Sequence, residues 1–284
     1  MVKKCLGKSY IYFLLLAMYI PVLVLIFYSF FDVAQIGMNL GDPTLKLYGD
    51  LFKNNEIMTA LGNTIIIAIT SAIVSTLIGT LGAVGTFYSK RRTNAAIESI
   101  NQIPVVNAEI VMALSLTFVF VAIGSIIFRT SIFSYWTILI GHVVLGAPFV
   151  YLNVKPELQK MDPALYEAAL DLGASPRRAL TQVMIPQIMP GVLSGFLISI
   201  SLSLDDFEIT YFLRGPGLLS GNEAIQTLST YIQGVIKKKS IPIELRSLTT
   251  LITILVIVAA VLITIYNNQR DKGAKSRHKK WRVE

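Results

Sequence analysis

The sequence predicts an all-α polytopic membrane protein with six transmembrane helices. Of its 284 residues, 54% are hydrophobic and only 15% are charged, a balance that does not suit a soluble domain. Several apolar runs approach the roughly 20 residues that a helix needs to cross a bilayer. Lys and Arg gather in alternate connecting segments, as they do in polytopic membrane proteins.

Six apolar segments are predicted to be membrane spans, and polar connections separate them. They cover about residues 10–31, 63–87, 104–128, 134–154, 191–213 and 248–266. No polar stretch is long enough for a second core, so residues 1–284 are predicted to form a single transmembrane domain. The first run is longer than the apolar core of a signal peptide and lacks a convincing cleavage site, so we expect an uncleaved span.

The distribution of basic residues predicts that both termini lie in the cytoplasm. Cytoplasmic loops are enriched in Lys and Arg, and an inside N-terminus places most of the 25 basic residues in inner segments. Lys237 to Lys239 are an exception in an outer loop, where snorkelling to lipid phosphates is the first expectation. Contact with an acidic binding protein is the alternative. The same loop contains an amphipathic helix predicted over residues 223–236.

A charged segment between the fourth and fifth spans, residues 162–186, carries the signals of a helix–glycine–helix hairpin. Asp162-Pro163 supply an N-cap and a proline at the first helical position. Gly173 can adopt the left-handed conformation that ends a helix. Ser175-Pro176 repeat the start signal, so a second short helix is predicted to follow.

This hairpin resembles the EAA loop of ABC importer permeases in both its residues and their spacing. Val183 and Ile185 replace the Ile and Leu that the family prefers, and both changes are conservative. The resemblance implies a coupling helix that docks into a groove on a separate ATPase subunit. The alternative is a helix lying on the membrane surface, but its polar face carries acids rather than the Lys and Arg typical of such helices. The matching residues are Glu167, Ala168, Ala169, Gly173 and Pro186.

Acidic residues inside two predicted spans indicate a translocation path, because charges in the bilayer are costly and usually functional. Glu109 lies in the third span, roughly 8 Å from its start at 1.5 Å per residue. Asp205 and Asp206 lie in the fifth, with Glu208 just beyond. Alternatively, these acids pair with basic side chains or accept backbone hydrogen bonds between helices.

The segments around these acids are SLSLDDFEITYFLRGPG and PVVNAEIVMALSL. Both resemble segments of the spermidine/putrescine permeases of ABC importers, and the resemblance extends over nearly the whole chain. The resemblance implies the type I ABC importer (MetI-like) permease fold. Its partners would be two ATPase copies, a second permease expected to be a different chain, and an extracytoplasmic substrate-binding protein. Carboxylates and aromatic faces attract polycations, so Phe207, Tyr211 and Trp136 join the predicted path. Trp136 can also be an interfacial anchor.

Several other functions lack support in the sequence. No GxxxxGK[ST] pattern occurs, so ATP hydrolysis is assigned to a partner and no enzyme activity is expected. His142 has no Cys, Asp or Glu at ligand spacing, so neither a metal site nor a cofactor is predicted. The net charge of +8 follows from the inner loops and does not indicate nucleic acid. Gly79, Gly82 and Gly85 in the second span predict close helix packing.

Three alternatives stay open. A related importer could carry ferric iron, thiamine or an organophosphonate, although acids in the spans favour a cation. A secondary transporter or channel would use the acids as proton relays, but it would be expected to show an internal repeat between its halves. A membrane scaffold would not need buried acids.

The predicted orientation is tested by thiol labelling. A cysteine at Gly221 should react with an impermeant reagent from outside and one at Ser175 should not, because the basic residues place the N-terminus inside. The natural Cys5 is replaced by serine in both variants. The opposite labelling pattern would refute the six-span topology.

Overall fold

The computed structural model describes residues 2–33, 41–162, 164–215, 224–238 and 242–258, and most of these residues are helical. The helices are α1 Val2–Tyr28, α2 Lys46–Lys53, α3 Asn55–Phe87, α4 Arg91–Val106, α5 Glu109–Ile123, α6 Tyr135–Lys160, α7 Ala164–Asp171, α8 Pro176–Ala179, α9 Ile185–Asp205, α10 Glu208–Leu213 and α11 Leu228–Lys238. A twelfth helix, α12, covers residues 244–258. Two π-helical turns, Gly124–Phe128 and Leu180–Met184, extend α5 and join α8 to α9. The all-α class is confirmed.

Within the described residues, four helices are long and apolar enough to cross a bilayer. They overlap the predicted second to fifth spans. A shorter apolar helix lies in α1, and the predicted sixth span, 248–266, is described only to residue 258. The total of six spans therefore stays a prediction. The four helices are Asn55–Phe87, Glu109–Ile127, Tyr135–Lys160 and Pro176–Asp205.

The chain divides into two compact units, of which the first contains residues 1–58 and 238–284. Its described part is joined by polar contacts between segments far apart in sequence. The Ser247 hydroxyl of α12 donates to the Leu47 carbonyl at 3.2 Å. Lys46 donates to Asp32 at 2.9 Å, and this hydrogen bond raises the pKa of Lys46 above its ordinary value.

The second unit, residues 59–237, is built around α6, which has 67% of its most apolar stretch buried. Glycines let α3 and α9 approach its backbone. A methyl group added at Gly79 of α3 would lie 2.7 Å from the Ala147 carbonyl, and one at Gly195 of α9 would lie 2.9 Å from the Val150 Cα. Small residues at such contacts permit the close packing that holds membrane helices together.

The predicted packing role of the three glycines in α3 is confirmed at Gly79 but not at Gly85. A methyl group at Gly82 would make an ordinary contact of 3.8 Å with the Tyr151 ring. At Gly85 the methyl group would meet no described atom within 4 Å. Of these three positions, only Gly79, which lies close against α6, requires glycine.

The predicted third span, 104–128, is not one helix. α4 ends at Val106, Asn107 and Ala108 are extended, and α5 begins at Glu109. Glu109 is therefore the first residue of a helix and does not lie ~8 Å into one, as counting at 1.5 Å per residue suggested. Hydropathy misses this break because apolar residues flank it on both sides.

The predicted fifth span, 191–213, also differs from the observed helix at both ends. Helical structure runs without interruption from Pro176 to Asp205, so the second arm of the hairpin continues into this span. Pro186 does not separate them. A proline has no N–H to donate to the carbonyl of the preceding helical turn. The helix accommodates this at Pro186, because the turn before it, Leu180–Met184, is π-helical. At the other end the helix stops at Asp205, and α10 begins anew at Glu208.

The amphipathic helix predicted over residues 223–236 is present as α11, but it begins at Leu228. Thr227 precedes it, and the Thr230 hydroxyl accepts the Thr227 backbone N–H at 2.9 Å. Tyr231 is buried, as an apolar face requires, and Ile225 is buried in the segment before the helix. Lys237 is exposed, while the side chains of the next two lysines lie outside the described residues.

Helix packing around α6 is tested by a matched pair of substitutions in α3. Gly79→Leu should destabilise the protein by about 1–3 kcal/mol, because overpacking forces neighbouring backbone and side chains to move. Gly85→Leu should be neutral or stabilising by up to about 1 kcal/mol, because leucine favours helix. Thermal unfolding midpoints in detergent measure both, and equal midpoints would contradict the assigned packing.

Candidate functional site

Two interrupted helices in the second unit bring acidic side chains together. α5 begins with Glu109, and α10 begins with Glu208 directly after the break at Asp206. Carboxylate oxygens of these three residues all lie within 4.8 Å of one another. We call this group the acid cluster. Broken helices at membrane depth are tolerated where they line a cavity or are buried in protein, and transporters use them as binding sites.

The carboxylate of Asp206 is fully buried, and its oxygens accept hydrogen bonds from the start of α10. Oδ1 accepts the Ile209 backbone N–H at 3.1 Å, while Oδ2 accepts the Thr210 N–H at 2.9 Å and the Thr210 hydroxyl at 3.0 Å. These N–H groups have no partner within their own helix. Asp206 therefore stabilises the break that carries the cluster. The Ser229 hydroxyl completes the arrangement by donating to the Asp206 carbonyl at 2.7 Å.

Glu109 and Glu208 are only partly buried and each occupies the first position of a helix. The partial positive charge of a helix N-terminus stabilises a carboxylate there. Among the described residues, neither glutamate forms an ion pair with Lys or Arg. The cluster is therefore able to bind a cation from outside the chain. Its oxygen ligands suit an ammonium group or a hard metal ion.

The other residues of the predicted path have different surroundings from the three clustered acids. Asp205 is exposed and is not one of the three clustered acids. The rings of Phe207 and Tyr211 stack at 5.3 Å between centroids, and the Arg214 guanidinium lies 4.9 Å above the Tyr211 ring. This aromatic face thus already holds a cation of the protein itself. Trp136 is 63% exposed, as an interfacial anchor would be.

No role was predicted for Glu208 or His142 from the sequence, and in the structure both lie at the site. Glu208 completes the acid cluster. The Nε2 atom of His142 lies 3.0 Å from the Thr210 hydroxyl and 3.4 Å from Oδ2 of Asp206. The spacing of DDFE, in which an acid able to accept the free N–H groups of a helix start is followed two residues later by a first-turn glutamate, is a signal that could have revealed the role of Glu208. The partners of His142 lie on other helices, so no local pattern predicts them.

A second candidate surface is the hairpin of α7 and α8. Oδ1 of Asp162 accepts the Ala164 N–H at 3.0 Å, which is the expected N-cap contact, while Pro163 lies outside the described residues. α8 begins at Pro176 as predicted. The side chain of Ser175 makes no capping hydrogen bond there, so only the position of this second start is confirmed.

Gly173 ends α7 in the left-handed conformation, with φ +84°. Its N–H donates to the Leu170 carbonyl at 2.9 Å, and the Ala174 N–H donates to the Ala169 carbonyl at 3.0 Å. These two hydrogen bonds define a Schellman motif, which satisfies the last carbonyls of a helix. The left-handed glycine predicted from the sequence is confirmed.

The hairpin exposes the residues that matched the EAA pattern. Glu167, Ala168, Gly173 and Pro186 are exposed, and Ala169 is half-buried. An apolar side chain also projects from the hairpin without burial in this chain, since Leu172 is 89% exposed. Such a surface is suited to a protein partner.

The end of α3 lies against the hairpin through an aromatic contact. The rings of Tyr88 and Tyr166 lie 5.5 Å apart between centroids. Burial raises the pKa of the Tyr88 phenol above its ordinary value, and Tyr166 and Glu167 raise it further. The hairpin is thus held in place by α3 as well as by its own two flanking helices.

The fold and the sequence comparisons identify a membrane component of an ABC importer. The chain belongs to the family of binding-protein-dependent transport system inner membrane components, whose family model matches residues 75–273. It is 30% identical over 256 residues to the spermidine/putrescine transport system permease protein PotC of Escherichia coli K12, covering 90% of this chain and 91% of that protein. It is 31% identical over 232 residues to the putrescine permease PotI of the same strain, covering 77% and 82%.

Solved structures show the same fold. A bacterial ABC transporter involved in the import of the acidic polysaccharide alginate matches with a TM-score of 0.67 at 14% identity, covering 94% of this chain and 96% of that chain. An amino acid ABC transporter matches with a TM-score of 0.52 at 16% identity, covering 78% and 97%. The chain is therefore a transport permease component and resembles the polyamine permeases in sequence.

Proposed function

We propose that this chain is the permease subunit of an ATP-driven importer that carries polyamines such as spermidine and putrescine across the cytoplasmic membrane. The observation that carries the proposal is the acid cluster, in which two partly exposed glutamates lack a basic partner among the described residues. Polyamines are flexible polycations, and their ammonium groups need fixed anions where water is scarce. The sequence similarity to PotC and PotI supports the same substrate class.

In this proposal Glu109 and Glu208 bind an ammonium group directly. A charge pair at 4 Å contributes on the order of 4 kcal/mol near a protein surface, before desolvation is counted. Asp205 attracts the polycation at the rim, and Phe207 offers an aromatic face beside Tyr211, whose own ring already contacts the Arg214 guanidinium. The buried carboxylate of Asp206 serves the path by holding α10 in position.

The partners follow from the family and from the exposed hairpin. One of two copies of a separate ATPase would dock on the hairpin at Glu167, Ala168, Ala169, Gly173 and Pro186, with both termini of this chain on the same cytoplasmic side. A second permease, expected to be a different chain, and an extracytoplasmic binding protein would complete the importer. ATP binding would draw the two hairpins together and open the path outward, and hydrolysis would reverse the motion.

A hard metal cation is the second candidate substrate. Three carboxylates within 4.8 Å of one another suit such an ion as well as an ammonium group, so ferric iron stays open. Thiamine also carries positive charge. An organophosphonate is disfavoured, because the unpaired carboxylates would repel it.

Substitution of the two glutamates tests the polyamine path. Glu109→Gln and Glu208→Gln should each lower uptake of labelled spermidine per assembled complex by about 10- to 100-fold, because one lost charge pair costs on the order of 1.4–3 kcal/mol after desolvation. Glutamine keeps the shape of the side chain. Glu56→Gln, an exposed position in the first turn of α3, is the control and should transport normally. Normal spermidine uptake in both cluster variants would refute the proposed path, and selective loss of metal uptake would favour the second candidate.

Two substitutions at Gly173 test the coupling hairpin. Gly173→Val should uncouple transport from ATP hydrolysis in an inserted protein, because a β-branched residue is strained at φ +84° by about 1–3 kcal/mol. Gly173→Asn should retain coupling, because asparagine tolerates the left-handed conformation. Co-purification with the ATPase and transport-stimulated hydrolysis are measured. Equal coupling in the valine and asparagine variants would contradict a role for the glycine turn.

A further inference from the structure

A chain of buried polar side chains links four helices next to the acid cluster. The Ser71 hydroxyl of α3 lies 3.1 Å from the Ser203 hydroxyl of α9, which lies 2.7 Å from Nδ1 of His142 in α6. Nε2 of His142 lies 3.0 Å from the Thr210 hydroxyl of α10, which donates to Oδ2 of Asp206. All five residues are buried. We call them the polar chain.

Counting donors gives the polar chain a direction. An ionised carboxylate only accepts, so the single hydroxyl proton of Thr210 goes to Asp206 and its oxygen accepts from Nε2–H of His142. Nδ1 of His142 is then the acceptor and receives the hydroxyl proton of Ser203. From Ser203 onward, every hydrogen bond therefore points toward the carboxylate, and each link depends on the one before it. The hydroxyl proton of Ser71 has two acceptors, the Ser203 oxygen at 3.1 Å and the Ala68 carbonyl at 3.2 Å.

The polar chain joins the acid cluster to both arms of the hairpin. α6, which carries His142, leads directly into α7, and the helical segment Pro176–Asp205, which carries Ser203, leads out of α8. His142 lies roughly 27 Å from the hairpin end of α6 at 1.5 Å per residue. α10 is only six residues long, so its orientation depends on its contacts with neighbouring helices. These contacts are the buried side chains of Ile209 and Leu213 and the hydrogen bonds of the polar chain.

We infer that His142 is a positioning residue for the cation path: through Thr210 and Asp206 it orients α10, and with it Glu208, relative to the two helices that flank the coupling hairpin. The inference rests on the proposed function, because it assigns Glu208 to substrate binding. It adds a link between that site and the helices moved by the ATPase. When the hairpin moves, the closely packed α6 and α9 move with it, and His142 carries α10 along, which changes the spacing between Glu208 and Glu109.

A matched pair at Thr210 separates positioning from simple packing. Thr210→Val has nearly the same shape but cannot link His142 to Asp206, whereas Thr210→Ser keeps the hydroxyl. In the complete importer, we expect Thr210→Val to raise the KM for spermidine uptake about tenfold, with assembled complex and basal ATPase activity within about twofold of normal. Thr210→Ser should stay within about threefold of normal KM. If Thr210→Val yields no assembled complex, Ser203→Ala, which removes the link on the other side of His142, is judged by the same criteria.

A double substitution tests whether the effect passes through Glu208. If it does, Thr210→Val combined with Glu208→Gln should transport no worse than Glu208→Gln alone, since coupled positions are not additive. Fully additive losses, an unchanged KM in Thr210→Val, or a loss confined to the amount of complex would each overturn the inference. Normal uptake in Glu208→Gln and Glu109→Gln would instead refute the proposed function, whatever Thr210→Val does.

Discussion

Backbone polar groups in an apolar phase need partners inside the protein, and the break between α9 and α10 depends on how that need is met. The carboxylate of Asp206 accepts two backbone N–H groups of α10, and the Ser229 hydroxyl satisfies the Asp206 carbonyl. The helix can therefore stop and restart within a bundle. Because it restarts at Glu208, a glutamate comes to lie beside Glu109 at the start of α5. The position of Glu208 beside Glu109 thus depends on the hydrogen bonds that satisfy the backbone at this break.

The acid cluster and the hairpin lie at opposite ends of the same pair of helices. α6 enters the hairpin and α9 leaves it, and glycines hold the two helices close along their length. A methyl group at Gly191 would lie 2.6 Å from the Asn153 carbonyl, and one at Gly195 would meet the Val150 backbone. Closely packed helices move as one body rather than deforming gradually. In the proposed function, a displacement of the hairpin would thereby be carried toward the cluster, where His142 and Ser203 join α6 to α9.

The carboxylates at the site have different surroundings, and the proposed function assigns them different roles for that reason. Asp206 is fully buried and has three protein donors, so its charge is compensated by hydrogen bonds within the chain. Glu109 and Glu208 keep part of their surface free and lack a basic partner among the described residues. Binding a polycation there requires less rearrangement than breaking the capping bonds of Asp206. The same division of labour would serve any cationic substrate.

Composition and periodicity by themselves determined the helical class, the apolar segments and the hairpin signals, because these depend on residues close together in sequence. The N-cap at Asp162 and the left-handed Gly173 are local features of this kind. Only the tertiary structure decided where α5 begins, which glycine faces α6 closely, and that Glu208 belongs with Glu109. The partners of His142 are also beyond local reach, since they lie on α9 and α10. A helix break between apolar residues leaves no trace in hydropathy, and a contact between distant helices is decided by packing rather than by spacing along the chain.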